Sequence, residues 1–180
     1  MTTAPRRRGP APRYTREQLV DAAVAVVEAD GFSALSLRSV ARQLDVGPMT
    51  LYTYVDGSEE LAALVVDRLV EEAVRGMRWP RTWRGILRLL ANKLDTLVTT
   101  HPAMVEAYGR GVVRSNSSTR VGRNVVERLI AAGLSQEAAG EGYLGVHALV
   151  LGTAVIRGGT QEVPLTALVE RLMDGIAARS

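Results

Sequence analysis

The hydrophobic positions of this chain recur at intervals of three and four residues from Leu19 to Ile176, and no segment alternates as a strand does. This spacing gathers apolar side chains on one face of a helix. Glycine and proline interrupt the pattern often enough to divide it into about nine helices. The pattern therefore predicts an all-α fold.

The first predicted helix begins at a capping box and ends at a glycine. Thr15 and Gln18 have the spacing in which each side chain caps the other's backbone N–H. Gly31 suits the position just beyond a helix C-terminus. This helix is expected to brace the two short helices that follow, with Phe32 and Leu35 filling the joint.

The next two predicted helices form a helix-turn-helix. Residues 37–44 carry one apolar face, residues 45–47 interrupt the pattern, and Pro48 suits the first turn of a second helix. Leu51 and Val55 lie one helical turn apart and are expected to pack back on the first helix. In a helix-turn-helix, the second helix enters the major groove of DNA.

The polar side chains of this motif suit contact with DNA. Threonine and tyrosine hydroxyls can reach phosphates or base edges, and methyl groups can contact thymine. Arg38 is a candidate for a bidentate contact to guanine, which discriminates by about 1–3 kcal/mol. The alternative is a pair of ordinary surface helices. The residues left on the outer faces of the second helix are Met49, Thr50, Tyr52, Thr53 and Tyr54.

Residues 31–38, 40–46 and 50–55 together resemble the DNA-binding half of TetR-type transcriptional regulators, and the resemblance covers about residues 15–70. It implies that six positions face DNA: Arg38, Pro48, Met49, Thr50, Tyr52 and Tyr54. Many relatives carry a phosphate-binding lysine near the start of the fourth helix. Here that place holds Ser58, followed by Glu59 and Glu60, so phosphate anchoring is expected to depend more on the N-terminal tail.

The tail, residues 1–13, is rich in proline and arginine and has almost nothing to bury, so it is expected to be disordered when free. Such arms can enter a minor groove or lie along phosphates. The alternative is a solvated tail that aids solubility. The candidate DNA contacts here are Arg6, Arg7, Arg8 and Arg13. The predicted organisation is a tail over residues 1–14, a DNA-binding domain over 15–57, and a helical domain over 58–180.

The helical domain is predicted to begin with a long amphipathic helix from Ser58 to about Arg78, ended by Trp79-Pro80. The helix over residues 136–157 is nearly all apolar, so it is expected to be buried on most sides. A strip of small residues should let another backbone approach it closely. That strip consists of Ala138, Gly142, Gly145 and Gly152.

Composition excludes several classes of protein. The chain has 180 residues, 47% apolar and 23% charged, with a net charge of +3. The absence of cysteine leaves no disulfide and no cysteine zinc site, and we predict no cofactor or metal. The apolar run Leu144 to Ile156 is too short to span a bilayer, and the N-terminus lacks the apolar core of a signal peptide. A soluble cytoplasmic protein is expected.

The TetR-type resemblance also implies a homodimer formed through the last two helices. Two copies related by a two-fold axis can read half-sites of a palindromic operator about 34–36 Å apart. The alternative is that the long helix only forms the core of the C-terminal domain.

The resemblance further implies a small-molecule pocket in the C-terminal half. Six polar residues and one methionine there are the candidates, with Tyr143 and His147 as the first choice; the alternative, which individually is the more common one, is a satisfied structural group. They are Asn92, Thr96, His101, Met104, Tyr108, Tyr143 and His147. Ligand release of DNA would then use a hinge at Asp56-Gly57, with the following helix as a lever.

Catalysis is not predicted. Residues 140–145 match the spacing G-x-G-x-x-G, but no strand precedes them, so no dinucleotide-binding unit surrounds the match. The two histidines, His101 and His147, form no cluster. The sequence favours a sequence-specific dimeric DNA-binding regulator, a repressor released by a small molecule. The alternative is a helical interaction or ligand-binding protein that does not bind DNA.

Overall fold

The computed structural model describes residues 14–113, 116–157 and 164–179, and within these ranges every regular element is a helix. The all-α prediction is therefore confirmed. A single 3-10 turn, Phe32–Ala34, follows the first helix. The helices are α1 (Arg16–Asp30), α2 (Leu37–Gln43), α3 (Pro48–Leu51), α4 (Ser58–Val74), α5 (Trp83–Thr100), α6 (Ala103–Gly109), α7 (Asn116–Ala131), α8 (Gln136–Arg157) and α9 (Leu165–Ala177).

Local signals account for most helix ends. The Thr15 and Gln18 capping box is present at the start of α1, and the predicted stop at Gly31 has a left-handed φ of 80°. The fourth helix ends earlier than predicted, at Val74 rather than near Arg78. Arg75 already leaves the helical region with a ψ of 129°, and Gly76, with a φ of 67°, completes a type II turn in which the Met77 N–H donates to the Val74 carbonyl at 3.2 Å.

The N-terminal helices form a small unit that packs on the start of the long α4. α1 contacts both α2 and α4. Leu19, Phe32, Leu51 and Leu61 are almost fully buried there, so the two halves share one continuous apolar core. An ion pair between Asp21 and Arg68, 2.5 Å apart, ties the outer faces of α1 and α4 together.

The C-terminal half is built around α5 and α8, which pack on each other and on α7 and α9. Two glycines of α8 allow the close approach predicted for its small-residue strip. A methyl group on Gly145 would lie 2.8 Å from Leu172 of α9, and one on Gly142 would lie 3.2 Å from Leu87 of α5. Gly152, by contrast, faces open space, so the strip is only partly used within one chain.

The expectation that α8 is buried on most sides is wrong for a single chain. Leu144 is 66% exposed, Val155 64% and Ile156 46%. These apolar side chains point away from α5 and α7, so one face of the helix is uncovered. α8, with 22 residues, is also long and apolar enough to cross a membrane. The predicted length limit applied only to its most apolar run, from Leu144 to Ile156.

Candidate DNA-binding surface and internal cavity

Helices α2 and α3 are held by local caps and by a small apolar joint. Ser36 caps α2 by accepting the Ser39 N–H at 3.0 Å, and Ser39 Oγ accepts the Ser36 N–H at 2.9 Å. Pro48 occupies the first turn of α3. Leu51 and Val55 are buried against the first two helices, as their spacing predicts. The outward faces of α2 and α3 are thereby fixed.

The turn between α2 and α3 has its left-handed residue at Asp45 and not at Gly47. Asp45 has a φ of 52°, whereas Gly47 has an ordinary φ of −71°. The Val46 N–H donates to the Ala41 carbonyl at 2.9 Å, and the Asp45 N–H donates to Arg42 at 3.2 Å. This pairing is the Schellman motif. Aspartate is among the few residues that tolerate its left-handed position.

The residues of α2, of α3 and just after α3 that are predicted to contact DNA are mostly exposed to solvent. Met49 is 77% exposed and Tyr52 is 53% exposed. Arg38, Pro48, Thr50 and Thr53 are exposed as well. Sequence reasoning missed Arg42, which is exposed one turn after Arg38 on α2; the spacing of four residues was the available signal. The surface formed by Arg38, Arg42, Met49, Thr50 and Tyr52 is called the reading surface below.

Tyr54 differs from its neighbours because it is half-buried and engaged. Its hydroxyl donates to the Tyr14 carbonyl at 2.8 Å. The Tyr14 hydroxyl in turn donates to the Leu44 carbonyl at 2.7 Å, across the turn. Tyr54 therefore joins the residues after α3 to Tyr14, two residues before the start of α1, and its hydroxyl already donates within the protein.

The start of α4 is acidic and internally paired. Glu60 accepts the Asp56 N–H at 2.7 Å and forms an ion pair with Arg16 at 2.5 Å. Arg16 is thereby held against α4. The tail candidates Arg6, Arg7, Arg8 and Arg13 lie outside the described residues.

A small cavity in the C-terminal half, partly open to solvent, lies between α4, α5, α6, α7 and α8. Its volume is about 60 Å³. Aliphatic side chains such as Val70, Leu94 and Leu97 form most of the wall, and Tyr108, Tyr143 and His147 line it as well. Three of the seven predicted ligand residues are therefore brought together.

The three rings form one cluster. The ring centroids of Tyr143 and His147 are 4.3 Å apart, and those of Tyr108 and His147 are 6.0 Å apart. Nδ1 of His147 lies 2.9 Å from the Tyr143 carbonyl, which can only accept a hydrogen bond, so Nδ1 carries the proton when the ring is neutral. Burial lowers the pKa of His147 and raises the pKa of both tyrosines. All three groups are therefore uncharged at neutral pH.

The other four ligand candidates lie elsewhere. Asn92 and Thr96 are exposed, and the Thr96 hydroxyl donates to the Asn92 carbonyl within α5. His101 faces α1, where its Nδ1 is 3.0 Å from Glu28. Met104 is completely buried in the core and does not line the cavity. The predicted set of seven therefore does not form one site.

One contact links the wall of the cavity to the N-terminal helices. Glu106, two residues before Tyr108 on α6, accepts the Phe32 N–H at 2.9 Å. The preceding residue, Gly31, also lies against Glu106, since a methyl group there would be 3.0 Å from Oε2. Arg110 supports the carboxylate from the next turn at 3.4 Å. Nothing in the spacing along the sequence indicated this pairing.

Comparison with curated sequences gives relatives with partial coverage, and no family model matches the chain. The chain is 36% identical over 100 residues to the HTH-type transcriptional repressor DrrR1 of Streptomyces coeruleorubidus, covering 55% of this chain and 37% of that protein. It is 27% identical over 124 residues to the repressor KstR of Mycobacterium tuberculosis, covering 67% and 56%. The chain thus spans little more than half, or less, of these relatives' lengths.

Comparison with solved structures covers nearly the whole chain. BioQ bound to its double-stranded DNA operator matches with a TM-score of 0.74 and 24% identity, over 92% of this chain and 99% of that one. The TetR family protein ActR of Streptomyces coelicolor, in complex with actinorhodin, matches with a TM-score of 0.76 and 19% identity, over 94% and 98%. At these identities the likeness establishes the fold.

Proposed function

We propose that this chain, which has the fold of the TetR family, is a dimeric, sequence-specific DNA-binding regulator that represses transcription until a small molecule releases it. The observation that carries the proposal is the reading surface. Met49 and Tyr52 are large, exposed side chains on a short helix whose other face is buried. A surface of this kind fits the major groove.

The arginines of α2 support the same role. Arg38 and Arg42 lie one helical turn apart and are both exposed. Neither has a hydrogen bond or ion pair within the part of the chain that the structure describes. Guanidinium groups that are free of carboxylates can bind phosphates or guanine. The named relatives, which are HTH-type repressors, favour the same reading.

Dimerisation is supported by the uncovered face of α8. Leu144 and Val155 lie about three turns apart on this face with the exposed Ala148 and Gly152 between them, and soluble proteins rarely leave a large apolar patch uncovered. A second copy, related by a two-fold axis through α8 and α9, would cover it. In the cytoplasm, the two reading surfaces of the dimer would then bind the two half-sites of a palindromic operator.

Release by a small molecule requires that a ligand in the cavity and DNA on the reading surfaces favour different spacings of the two reading surfaces in the dimer. Ligand and DNA then weaken each other by the same factor. Two elements can carry that coupling: the break at Asp56-Gly57, from which α4 extends to the cavity wall, and the Glu106 contact to Phe32. BioQ with its operator and ActR with actinorhodin, as relatives of the same fold, support this division of roles.

The test is binding of the full chain to duplexes selected from a random library, followed by fluorescence anisotropy as salt rises. We expect a selected consensus with two-fold symmetry and a steep fall in affinity with salt. Thr50→Asp should reduce affinity at least about tenfold, because it places a negative charge beside phosphates. Thr96→Asp is the matched control, since it places the same charge on an exposed position of α5.

Two outcomes would refute the proposal. If no duplex is enriched, the chain is a helical ligand-binding or interaction protein without DNA binding. If Thr50→Asp and Thr96→Asp weaken binding equally, DNA contacts some other surface.

A further inference from the structure

The cavity in the C-terminal half contains three polar groups without a partner. Within the described residues, no hydrogen bond reaches Nε2 of His147 or the hydroxyls of Tyr108 and Tyr143. Each of these side chains is half-buried and lines the cavity, and none of the three polar atoms is sealed from solvent. Polar atoms in such a place are paired with water until a ligand displaces it. The cavity therefore offers one end at which a polar group can be bound.

The hydrogen-bonding capacity of this end follows from the geometry. Because Nδ1 of His147 lies against the Tyr143 carbonyl, Nε2 of the neutral ring is left as an acceptor. The hydroxyls of Tyr108 and Tyr143 remain protonated, and each can donate. A group that both donates to Nε2 and accepts from a tyrosine satisfies this end. A hydroxyl does both.

The charges around the cavity exclude other classes of ligand. No aspartate or glutamate lines it, so a cation would lose its hydration without meeting a counter-charge. A carboxylate has no proton to donate, and its lone pairs would face that of Nε2. The one charged side chain of the wall, Lys93 on α5, is half-buried and is the one group there that would favour an anion, so benzoate is the probe that tests this exclusion.

We propose that the cavity binds an uncharged, mainly apolar molecule whose hydroxyl or phenol group sits between His147 and the two tyrosines. This inference rests on the ligand response in the proposed function, which it makes specific. The present volume of about 60 Å³ equals the liquid volume of about two water molecules. A single aromatic ring therefore enters only if a side chain moves.

The test uses four one-ring probes that differ only in their polar group: phenol, toluene, benzoate and benzylammonium. Binding to the full chain, without DNA, is measured by isothermal titration. Phenol should bind about three- to tenfold more tightly than toluene, the typical gain from one hydrogen bond. Benzoate and benzylammonium should bind more weakly than toluene. Equal affinities for phenol and toluene, tighter binding of either ion, or no binding of phenol would each overturn the proposal.

Two variants test whether the tighter binding of phenol than of toluene depends on His147. His147→Phe keeps a ring of similar size but removes the acceptor, so phenol should lose its advantage over toluene. His101→Gln changes the other histidine, which faces Glu28 outside the cavity, and should leave the advantage intact. If His147→Phe unfolds, Tyr108→Phe tests the same end by removing one donor and should reduce the advantage. The proposal would be contradicted if His147→Phe, or Tyr108→Phe in its place, left the advantage of phenol over toluene unchanged. It would also be contradicted if His101→Gln reduced that advantage as much.

These outcomes are separate from those of the DNA test. A chain that binds its selected duplex but ignores phenol would refute the ligand class alone. A chain that binds phenol through His147 and enriches no duplex would refute the regulator alone.

Discussion

The reading surface and the cavity are built in opposite ways. The reading surface depends on contacts between residues that are close in sequence, such as Ser36 with Ser39, and its working side chains stand in solvent. The cavity depends on five helices that meet only in the folded chain, and its working side chains are enclosed. Substitutions on the reading surface should therefore change binding at little cost in stability, whereas those around the cavity should change both.

The largest effect should come from breaking the connection between two reading surfaces. Val155→Asp places a charge on the exposed apolar face of α8 and should yield monomers, seen by sedimentation. Affinity for a full operator should fall about 100-fold or more, the usual loss when bivalent binding becomes monovalent. Thr99→Asp, an exposed position of α5, is the control. A monomeric variant that keeps full affinity would show that one reading surface suffices.

Removal of the tail should change the electrostatic part of binding. Deleting residues 2–13 removes Arg6, Arg7, Arg8 and Arg13. If all four contact phosphates, the slope of log affinity against log salt should become shallower by about 0.9 for each. Anisotropy titrations at several salt concentrations give this slope. An unchanged slope would mean that the tail does not contact DNA.

Arg38→Ala should relax base preference at one position of each half-site. The expected loss of discrimination is about 1–3 kcal/mol if Arg38 binds guanine in a bidentate manner. Binding to a library of single-base variants measures it, and Arg123→Ala, an exposed arginine of α7, serves as the control. If the variant lost affinity equally for all single-base variants of the duplex, Arg38 would contact phosphate and not a base.

Glu106 tests the contact that joins the two regions. Glu106→Ala leaves the Phe32 N–H without its acceptor and should lower the free energy of unfolding by about 1–3 kcal/mol. Glu106→Gln retains an acceptor oxygen and should lose less than half as much. Urea unfolding compares the two variants. If they lose equal stability, the charge matters and the hydrogen bond to Phe32 does not.

The two tyrosines after α3 should behave differently despite their proximity. Tyr52→Phe should leave stability unchanged and weaken binding to all duplexes similarly, because its exposed hydroxyl is assigned to phosphate. Tyr54→Phe should lower stability by about 0.5–1.5 kcal/mol, since it removes the hydrogen bond to Tyr14. Thermal unfolding and anisotropy separate the effects. The reverse pattern would exchange the two roles.

The sequence predicted the helices of the N-terminal half well because their determinants are local. Caps, the proline of α3 and the spacing of Leu51 and Val55 act within a few residues. What the pattern did not predict is also local: Asp45 takes the left-handed position of the turn after α2, and the turn at Arg75 and Gly76 ends α4 before Trp79. Neither left-handed residue changes the spacing of apolar positions.

The cavity was harder to predict because position along a helix does not reveal which neighbour a face meets. Asn92 and Thr96 share a face of α5, but that face is the solvent side, since Leu90, Leu94 and Leu97 occupy the core. Tyr143 and His147 have the same spacing on α8, and there the face meets α6 and α7. Only the packed arrangement of helices distinguishes the two pairs.

The most direct test of the central claim uses the methionine methyl groups as NMR probes. Met49 lies on the reading surface, Met77 follows α4, and Met104 and Met173 are buried in the C-terminal half. Adding a selected duplex to the methyl-labelled full chain should shift and broaden the Met49 signal more than those of Met77, Met104 and Met173. A saturated complex in which the Met49 signal stays unchanged would contradict the account, because α3 would then lie away from the bases.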